Sequence, residues 1–310
     1  MRDNIIEFTR MITAKTNISQ KRLLSMIGVS TSKYYCWLPK YESPGNHNGS
    51  VPKKHWILDW EREAIIRYAG THPDEGYRRL TYMMLDDDIV AVSPSTTYRV
   101  LSQAGLLNIW NRTKKSTKGT GFIQPGKPHQ HWHTDIKYVN FKGTFLFLIS
   151  VIDGYSRYIV HHELRMNMQE YDVQLTIQRA LEKHPNVKPR LISDNGSQFI
   201  SRDFNEFIRL AGLQHVKTSI AYPQANGKIE RFHKTINDEC LKTTSLIDLE
   251  DARKQVDGYI NKYNNERLHG SLFYLTPEDF LLNRIDEKLN KRYVKLNNAK
   301  LTRYEVRSAS

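Results

Sequence analysis

Three acidic residues have the types and surroundings that metal-dependent phosphoryl transfer requires. Asp194 directly follows an apolar stretch that predicts a strand, Glu230 lies in the first turns of a predicted helix, and Asp135 lies in HWHTDIKYV, whose composition fits a strand. Mg²⁺ prefers hard oxygen ligands, and two such ions about 3.5–4 Å apart hold the attacking and leaving oxygens in line. Three carboxylates suffice if one bridges both ions and each ion has one more. The sequence therefore predicts that these acids converge on two Mg²⁺ ions, with Mn²⁺ able to substitute.

Each of these acids taken alone is more typical of an ordinary surface residue. The three together are less ordinary. Asp135 interrupts a predicted strand, where acids are disfavoured. Asp194 falls just beyond a strand end, where α/β sheets bind their ligands. Spacing alone leaves the metal site and the set of surface acids about equally favoured.

The elements that must position these acids form an α/β pattern. Predicted strands cover 132–139, 144–153, 157–164, 188–193 and 213–218, and predicted helices cover 169–183, 201–211 and a stretch from about 226. This order predicts a mixed sheet with helices on both sides. The nearly continuous apolar run 144–153 predicts a strand that is buried on both faces.

Polar residues around Glu230 are candidates for DNA contacts. Lys228 and Arg231 flank the acid, and a helix N-terminus also favours anions. Asn226 is predicted to cap the helix. Tyr222 could stack on a base or sugar, or it could simply pack the loop.

The first 40 residues have a helix-turn-helix pattern. Gly28 permits the tight turn, Ser30 is predicted to cap the second helix, and Tyr34, Tyr35 and Trp37 are predicted to form its packing face. Lys33 would then be free to meet DNA. A plain helical hairpin that binds nothing fits this pattern equally well.

A second helical DNA-binding domain is predicted at 55–110, between a Pro/Gly/Asn-rich linker at 41–54 and a basic linker at 111–128. Arg78, Arg79 and Arg99 could face phosphates there, or lie on a solvated face. The catalytic core is predicted at 129–245. A C-terminal segment at 246–310 is predicted to contain a long amphipathic helix and then, from Arg284, a basic tail with little pattern.

The charge of the chain favours a polyanionic partner. Its 310 residues carry 46 Lys and Arg against 33 Asp and Glu, a formal charge of +13, and this balance points to nucleic acid. No apolar run approaches the roughly 20 residues of a membrane span. Cys36 and Cys240 stand alone, which disfavours a disulfide framework and fits a reducing cytoplasm. His131 and His133 could suggest zinc, but they lack Cys partners.

The same residues resemble a known family. WHTDIKYV, ISDNGSQF, AYPQANGKIERFHKTI and YNNERLHGSLFYLTPEDF, preceded by GYRRL and STTYRVLSQAGL, are similar to motifs of the insertion-sequence three (IS-three) family transposases, specifically the product of the second frame. The core of that family is similar to retroviral integrases. The motifs span 55–283, and their joint occurrence by chance is implausible.

The resemblance implies a ribonuclease-H-like core and a DDE mechanism in which Asp135, Asp194 and Glu230 are the catalytic metal ligands. Water would cut one strand at each element end, and the freed 3′-hydroxyl would attack another phosphodiester without a covalent protein–DNA intermediate. The implied partners are double-stranded DNA, both terminal inverted repeats and target, and further copies of the chain assembled on it. The implied location is the bacterial cytoplasm, at the nucleoid.

One position departs from the family pattern. The family usually has Lys or Arg two helical turns after the Glu, where this chain has Asn237; Lys234, one turn after, would substitute on the same face. Two other functions stay open: a transposase-derived DNA-binding regulator, and a hydrolytic nuclease of the same fold that stops after strand cleavage.

Overall fold

The computed structural model describes residues 2–41, 56–107, 124–217 and 226–308. The chain divides into two compact units, one of Met1–Trp56 with Leu301–Ser310 and one of Ile57–Lys300. The predicted linker at 41–54 lies outside the described residues except for residue 41, and the one at 111–128 except for 124–128. Tyr222 also lies outside them.

A five-stranded mixed sheet forms the centre of the second unit. Its strands are β1 (His131–Phe141), β2 (Thr144–Asp153), β3 (Ile159–Arg165), β4 (Arg190–Ser193) and β5 (Gln214–Lys217), in the order β3-β2-β1-β4-β5. The first three are antiparallel neighbours, while β4 pairs parallel with both β1 and β5. This confirms the predicted mixed sheet.

Helices cover both faces of this sheet. On one side lie α7 (Glu170–Lys183), α8 (Ser197–Ile200) and α9 (Arg202–Leu210); on the other lie α10 (Gly227–Ile236), a π-helical turn (Asn237–Leu241) and α11 (Leu249–Asn265). Strand β2 contributes Leu148 and Ile152 to one core and Ile149 and Val151 to the other. The predicted burial of this strand on both faces is therefore confirmed, and it follows from the two-residue period of a strand.

Three helices precede the sheet in the same unit. They are α4 (Asp59–Thr71), α5 (Tyr77–Asp86) and α6 (Pro94–Gln103), packed around Ile65, Leu80 and Val100 among others. Ser93 caps α6, since its Oγ accepts a hydrogen bond from Thr96 N at 3.3 Å, and Pro94 occupies the first turn as predicted.

The first unit contains α1 (Arg2–Lys15), α2 (Gln20–Met26) and α3 (Thr31–Trp37). Gly28 turns the chain with φ +71°, and Ser30 Oγ accepts from Lys33 N at 3.3 Å, as the helix-turn-helix pattern predicts. Tyr34 is fully buried, but the prediction that Tyr35 shares its packing face is wrong, since Tyr35 is 57% exposed. Neighbouring helical residues point about 100° apart, and Tyr35 instead hydrogen-bonds Gln20 on the surface.

The C-terminal segment continues with α12 (Pro277–Leu281) and α13 (Ile285–Ser308). From Arg284 onward, where the sequence has little pattern and predicted no helix, almost all of the segment is one helix of 24 residues. The apolar residues of α13 do not form a clear stripe, which is the signal that sequence reasoning depends on. No described helix is both long and apolar enough to span a bilayer.

Candidate active site

Packing of α10 on the sheet determines which of its residues face the predicted site. Ile229, Phe232 and Ile236 are buried against the sheet and α11. Because α-helical residues three or four apart share a face, Glu230 and His233 fall together on the next face. That face lies over β1, where His233 Nδ1 is 3.3 Å from Asp135 Oδ2.

Asp135 and Glu230 are close enough to influence each other electrostatically. Burial raises the pKa of Glu230, and the negative charge of Asp135 raises it further, while His233 acts in the opposite direction. The Asp135 side chain is only 19% exposed, and its Oδ1 accepts a hydrogen bond from Ile136 N at 2.9 Å. Two of the three predicted acids therefore face each other across β1 and α10.

Asp194 lies at the neighbouring strand end, but its carboxylate is turned towards its own loop. Strands β1 and β4 pair His133 with Ile192, and each acid follows two residues later. Neighbouring strands are about 4.8 Å apart, so the backbones of Asp135 and Asp194 are adjacent. Asp194 Oδ1, however, accepts a hydrogen bond from Gly196 N at 3.0 Å.

The three acids do not form a closed ligand set. Within the described ranges, no group of three or more His, Cys, Asp or Glu side chains is gathered tightly enough to hold a metal ion. The same finding disfavours a zinc cluster at His131 and His133, both of which are buried. The structure thus brings Asp135 towards Glu230 and leaves the Asp194 carboxylate to one side.

A further acid, Asp153 at the end of β2, has a structural role. Asp153 is fully buried, and its two oxygens accept from His129 N (2.8 Å), Ser156 N (2.7 Å) and Ser156 Oγ (2.6 Å). The following residue, Gly154, hydrogen-bonds His131 O through its N–H at 2.7 Å. These bonds fix the turn that lies beneath the start of α10.

Residues at the start of α10 contribute contacts around this turn as well. Lys228 Nζ donates to Gly154 O at 2.6 Å. Burial, followed by the charge of Arg157, lowers the pKa of Lys228 to about 7. Asn226 stands at the N-cap as predicted, but its side chain makes no capping hydrogen bond; it is buried and interacts with His133 instead. Burial, followed by the charge of Lys228, lowers the pKa of His133 to about 3.

The other predicted DNA-contacting residues differ in their accessibility. Exposed side chains are those of Lys33, Arg78, Arg99, Arg231 and Lys234. Arg79 is half-buried and forms an ion pair with Glu75. His233 was missed by sequence reasoning, although its position three residues after Glu230 is a signal that it shares that face.

Comparisons with known proteins agree with this architecture. The sequence matches the family described as Integrase core domain over residues 125–223, and a second family of the same description over residues 211–277. The chain thus carries an integrase core domain, which defines a DDE-type polynucleotidyl transferase. Enzymes of this class act on DNA.

Relatives in bacteria carry the identification one step further. The chain is 28% identical over 188 residues to an uncharacterized protein of insertion element IS136 from Agrobacterium fabrum, covering 58% of this chain and 96% of that one. It is 31% identical over 155 residues to the transposase for insertion sequence element IS904 of Lactococcus lactis, covering 49% and 61%. It is 25% identical over 233 residues to the transposase InsD of insertion element IS2 of Escherichia coli, covering 71% and 77%. The chain is thus related to insertion-element transposases, which confirms the resemblance inferred from its motifs.

Among solved structures, the chain is similar to the HTLV-2 integrase catalytic core domain in complex with magnesium. The identity is 17%, the TM-score is 0.41, and the match covers 50% of this chain and 97% of that one.

Proposed function

We propose that this transposase binds the ends of an insertion element, cleaves one strand at each end and joins the freed 3′-hydroxyls to DNA. The observation that carries the proposal is the approach of Asp135 and Glu230, on two different elements, beside the strand end that bears Asp194. Asp135 lies on a strand, Asp194 at a strand end and Glu230 on a helix, so the three acids could contact a substrate that lies across the edge of the sheet.

The donor chemistry of this site fits Mg²⁺. All three acids offer hard carboxylate oxygens. Burial and the negative charge of Asp135 raise the pKa of Glu230, and a divalent cation would stabilise the ionised carboxylate against both. Asp135, Glu230 and, after release from Gly196 N, Asp194 would hold the metal. When bound, two such ions would neutralise charge on the phosphodiester and favour ionisation of the attacking hydroxyl; Mn²⁺ would substitute.

The residues of the chain supply orientation. Ile136 N and His233 fix the two oxygens of Asp135. Asn237, at which the π-helical turn after α10 begins, lies on the same helical face as Glu230. Water would attack phosphorus, break the bond to the 3′-oxygen and leave a 3′-hydroxyl. That hydroxyl would then form a new bond to phosphorus in a second phosphodiester and displace its 3′-oxygen, so the number of phosphodiester bonds is conserved.

DNA binding would involve both helical regions. In the helix-turn-helix at 1–40, Lys33 is exposed at the start of α3, and in the helical region at 55–110, Arg78 and Arg99 are exposed. Lys234 would contact DNA beside the acids, and Arg231 would contact it on the other side of α10. Asn226 and Tyr222, of which Tyr222 lies outside the described residues, would add contacts just before the helix. Since two element ends must be joined, the active form would be an oligomer assembled on DNA, acting at the bacterial nucleoid.

Replacing the acids tests the proposal. Asp135→Asn, Asp194→Asn and Glu230→Gln should each reduce Mg²⁺-dependent strand cleavage on the order of a thousandfold, because the three would act as a unit. DNA affinity should stay within about threefold, since these acids make no favourable contact with phosphate. The measurement is gel analysis of labelled element-end DNA. Asp203→Asn, which removes an exposed acid of α9, is the matched control and should cleave normally.

The products separate the proposed function from its two alternatives. A transposase should yield joined strands from DNA that already carries a free 3′-hydroxyl. A nuclease of this fold should yield cut strands without joining, and a DNA-binding regulator should yield neither. Chelation of the metal should stop both reactions and leave binding intact.

A further inference from the structure

A cavity of about 430 Å³ lies beside α10 and is lined mainly by basic side chains. We refer to it as the basic cavity. Its basic residues are Arg79, Arg157, Lys228, Arg231 and Arg267, and the remaining lining residues include Thr235, Tyr263, His269 and Ser271. Its volume falls within the roughly 300–1,000 Å³ of ordinary ligand sites.

The basic cavity and the acids occupy opposite sides of one helix. Lys228, Arg231 and Thr235 line the cavity, whereas Glu230 and His233 face Asp135. With 3.6 residues per turn, positions 228, 231 and 235 fall on the side of α10 opposite to 230 and 233. A group in the cavity is therefore separated from the acids by about one helix diameter, roughly 10 Å.

Carboxylates do not balance all the positive charge of the cavity. Arg267 is paired with Glu239, and Arg79 with Glu75. Neither Arg157 nor Arg231 forms an ion pair with any carboxylate in the described part of the chain. Arg157 is mostly buried, and burial lowers its pKa. Two guanidinium groups thus remain for an anionic ligand.

The surroundings of His269 have the same excess of positive charge. Burial first, and then the charges of Arg267, Arg157, Arg79 and Arg231, together lower the pKa of His269 to about 3. Its two ring nitrogens lie 3.1 Å from Ser271 Oγ and 3.3 Å from Tyr263 OH. The imidazole is therefore a neutral, positioned hydrogen-bonding group in a positive field, which suits an anion and opposes a cation.

We propose that the basic cavity binds a backbone phosphate of DNA, at a position other than the phosphate that is cut. Guanidinium groups match phosphate oxygens in geometry and charge, and Arg157 and Arg231 would provide the principal contacts. Arg231 and Ser271 are exposed at the rim, so the chain surface gives access to the cavity.

The distance to the acids favours DNA over a free anion as the occupant. Roughly 10 Å corresponds to about three base-pair steps at about 3.4 Å of rise along the duplex axis. One strand could therefore reach both sides of α10. This inference rests on the proposed function only in taking DNA as the substrate, and it assigns Arg157, Arg267 and His269 a place in binding that none of the sequence motifs predicted.

A charge introduced at the rim tests the proposal. Ser271→Glu places a carboxylate at the cavity, and Ser271→Gln is its neutral match in size. The full-length variants would be titrated with inorganic pyrophosphate by calorimetry and with duplex DNA at salt concentrations between about 50 and 200 mM. Arg231→Gln serves as a second variant, because Arg231 is exposed on its helix and its replacement should leave the fold intact. Arg209→Gln on α9 is its charge-matched control.

Ser271→Glu and Arg231→Gln should bind pyrophosphate at least about tenfold more weakly than Ser271→Gln. Between 50 and 200 mM salt, their DNA affinity should fall about threefold less than that of Ser271→Gln and Arg209→Gln, which corresponds to one lost phosphate contact. Equal DNA affinities and salt slopes for the Glu and Gln variants would overturn the proposal. Weakened pyrophosphate binding with an unchanged DNA slope would also overturn it, since the cavity would then take a free anion.

This outcome is independent of the chemistry at the acids. If the wild-type protein joined no strands but the salt slopes differed as expected, the proposed function would fail and the phosphate site would stand. If strands were joined normally by the wild-type protein and the slopes did not differ, only the phosphate site would fail.

Discussion

At the scale of single residues, the site depends on groups that hold the acids in place. Ile136 N and His233 engage Asp135, while Gly196 N engages Asp194. Behind them, Gly154 lies so close to β1 that a Cβ atom would approach His133 Nε2 to 2.9 Å and His131 O to 3.1 Å. The absence of a side chain at Gly154 therefore permits the turn that carries the Lys228 contact.

Gly154→Ala should destabilise the protein by about 1–3 kcal/mol, because the turn is fixed by hydrogen bonds and cannot move away from His131 and His133. Gly258→Ala is the control. Gly258 lies within α11, and a Cβ there would meet nothing within 4 Å. That substitution should instead stabilise by roughly 0.5–1 kcal/mol. Urea unfolding of both variants would measure the effects, and a neutral or stabilising Gly154→Ala would contradict this account of the turn.

At the scale of elements, a buried arginine of α13, Arg292, connects this helix to α5 and to the turn at Phe273–Tyr274. Arg292 donates to both oxygens of Asp86 on α5, at 2.8 and 2.5 Å, and to Phe273 O and Tyr274 O at 3.0 and 2.6 Å. Phe273 and Tyr274 have φ of +52° and +56°, a left-handed conformation that costs side-chain-bearing residues of order 1–3 kcal/mol each. Arg292 thus offsets part of the cost of that turn while it attaches α13 to α5.

Arg292→Leu should destabilise the protein by about 3–5 kcal/mol, because it leaves the Asp86 carboxylate and two carbonyl groups without their partner. Arg292→Lys should recover only part of this loss, since an ammonium cannot bond four acceptors in a fork. Lys291→Ala, which removes an exposed ion pair with Glu287 on the same helix, should cost less than about 0.5 kcal/mol. Hydrogen exchange across 285–300 would measure the effect, and unchanged protection in Arg292→Leu would refute it.

The elements also show which features of the fold can be predicted from the sequence. Strands β1 to β5 were predicted to within a few residues, because apolar runs and turn residues mark them locally. The helix at 285–308 was missed because Arg292 holds it through Asp86 and the turn at Phe273–Tyr274, partners far away in the chain. The basic cavity was missed for the same reason, since Arg157, Arg267 and His269 come together only in the folded protein.

At the scale of the whole molecule, several half-buried histidines couple stability to pH. Burial lowers the pKa of His269 to about 3, and those of His161 and His215 to about 4. The unfolded chain binds protons at these residues below about pH 6.5, whereas the folded chain does not until pH falls to about 3–4. Stability should therefore be fully present above pH 6.5 and decrease as the pH falls through this window.

The free energy of unfolding should be lower at pH 5.5 than at pH 7.5, by roughly 1 kcal/mol for each of these histidines. Urea unfolding at the two pH values would measure the difference. His215→Gln, which can keep a hydrogen bond to Ser193 Oγ, should reduce the difference by about its own share. Equal or greater stability at pH 5.5 would mean that these imidazoles are protonated in the folded protein.

The central claim is that Asp135, Asp194 and Glu230 act together as metal ligands once DNA is bound, although the Asp194 carboxylate faces its own loop in the free protein. Counting Mn²⁺ ions bound to the protein–DNA complex by electron paramagnetic resonance tests this most directly. The wild-type protein should bind about two ions per active site, and Asp194→Asn should bind at most one at the same free Mn²⁺ concentration. If Asp194→Asn bound both ions with wild-type affinity, Asp194 would not be a metal ligand and the claim would be contradicted.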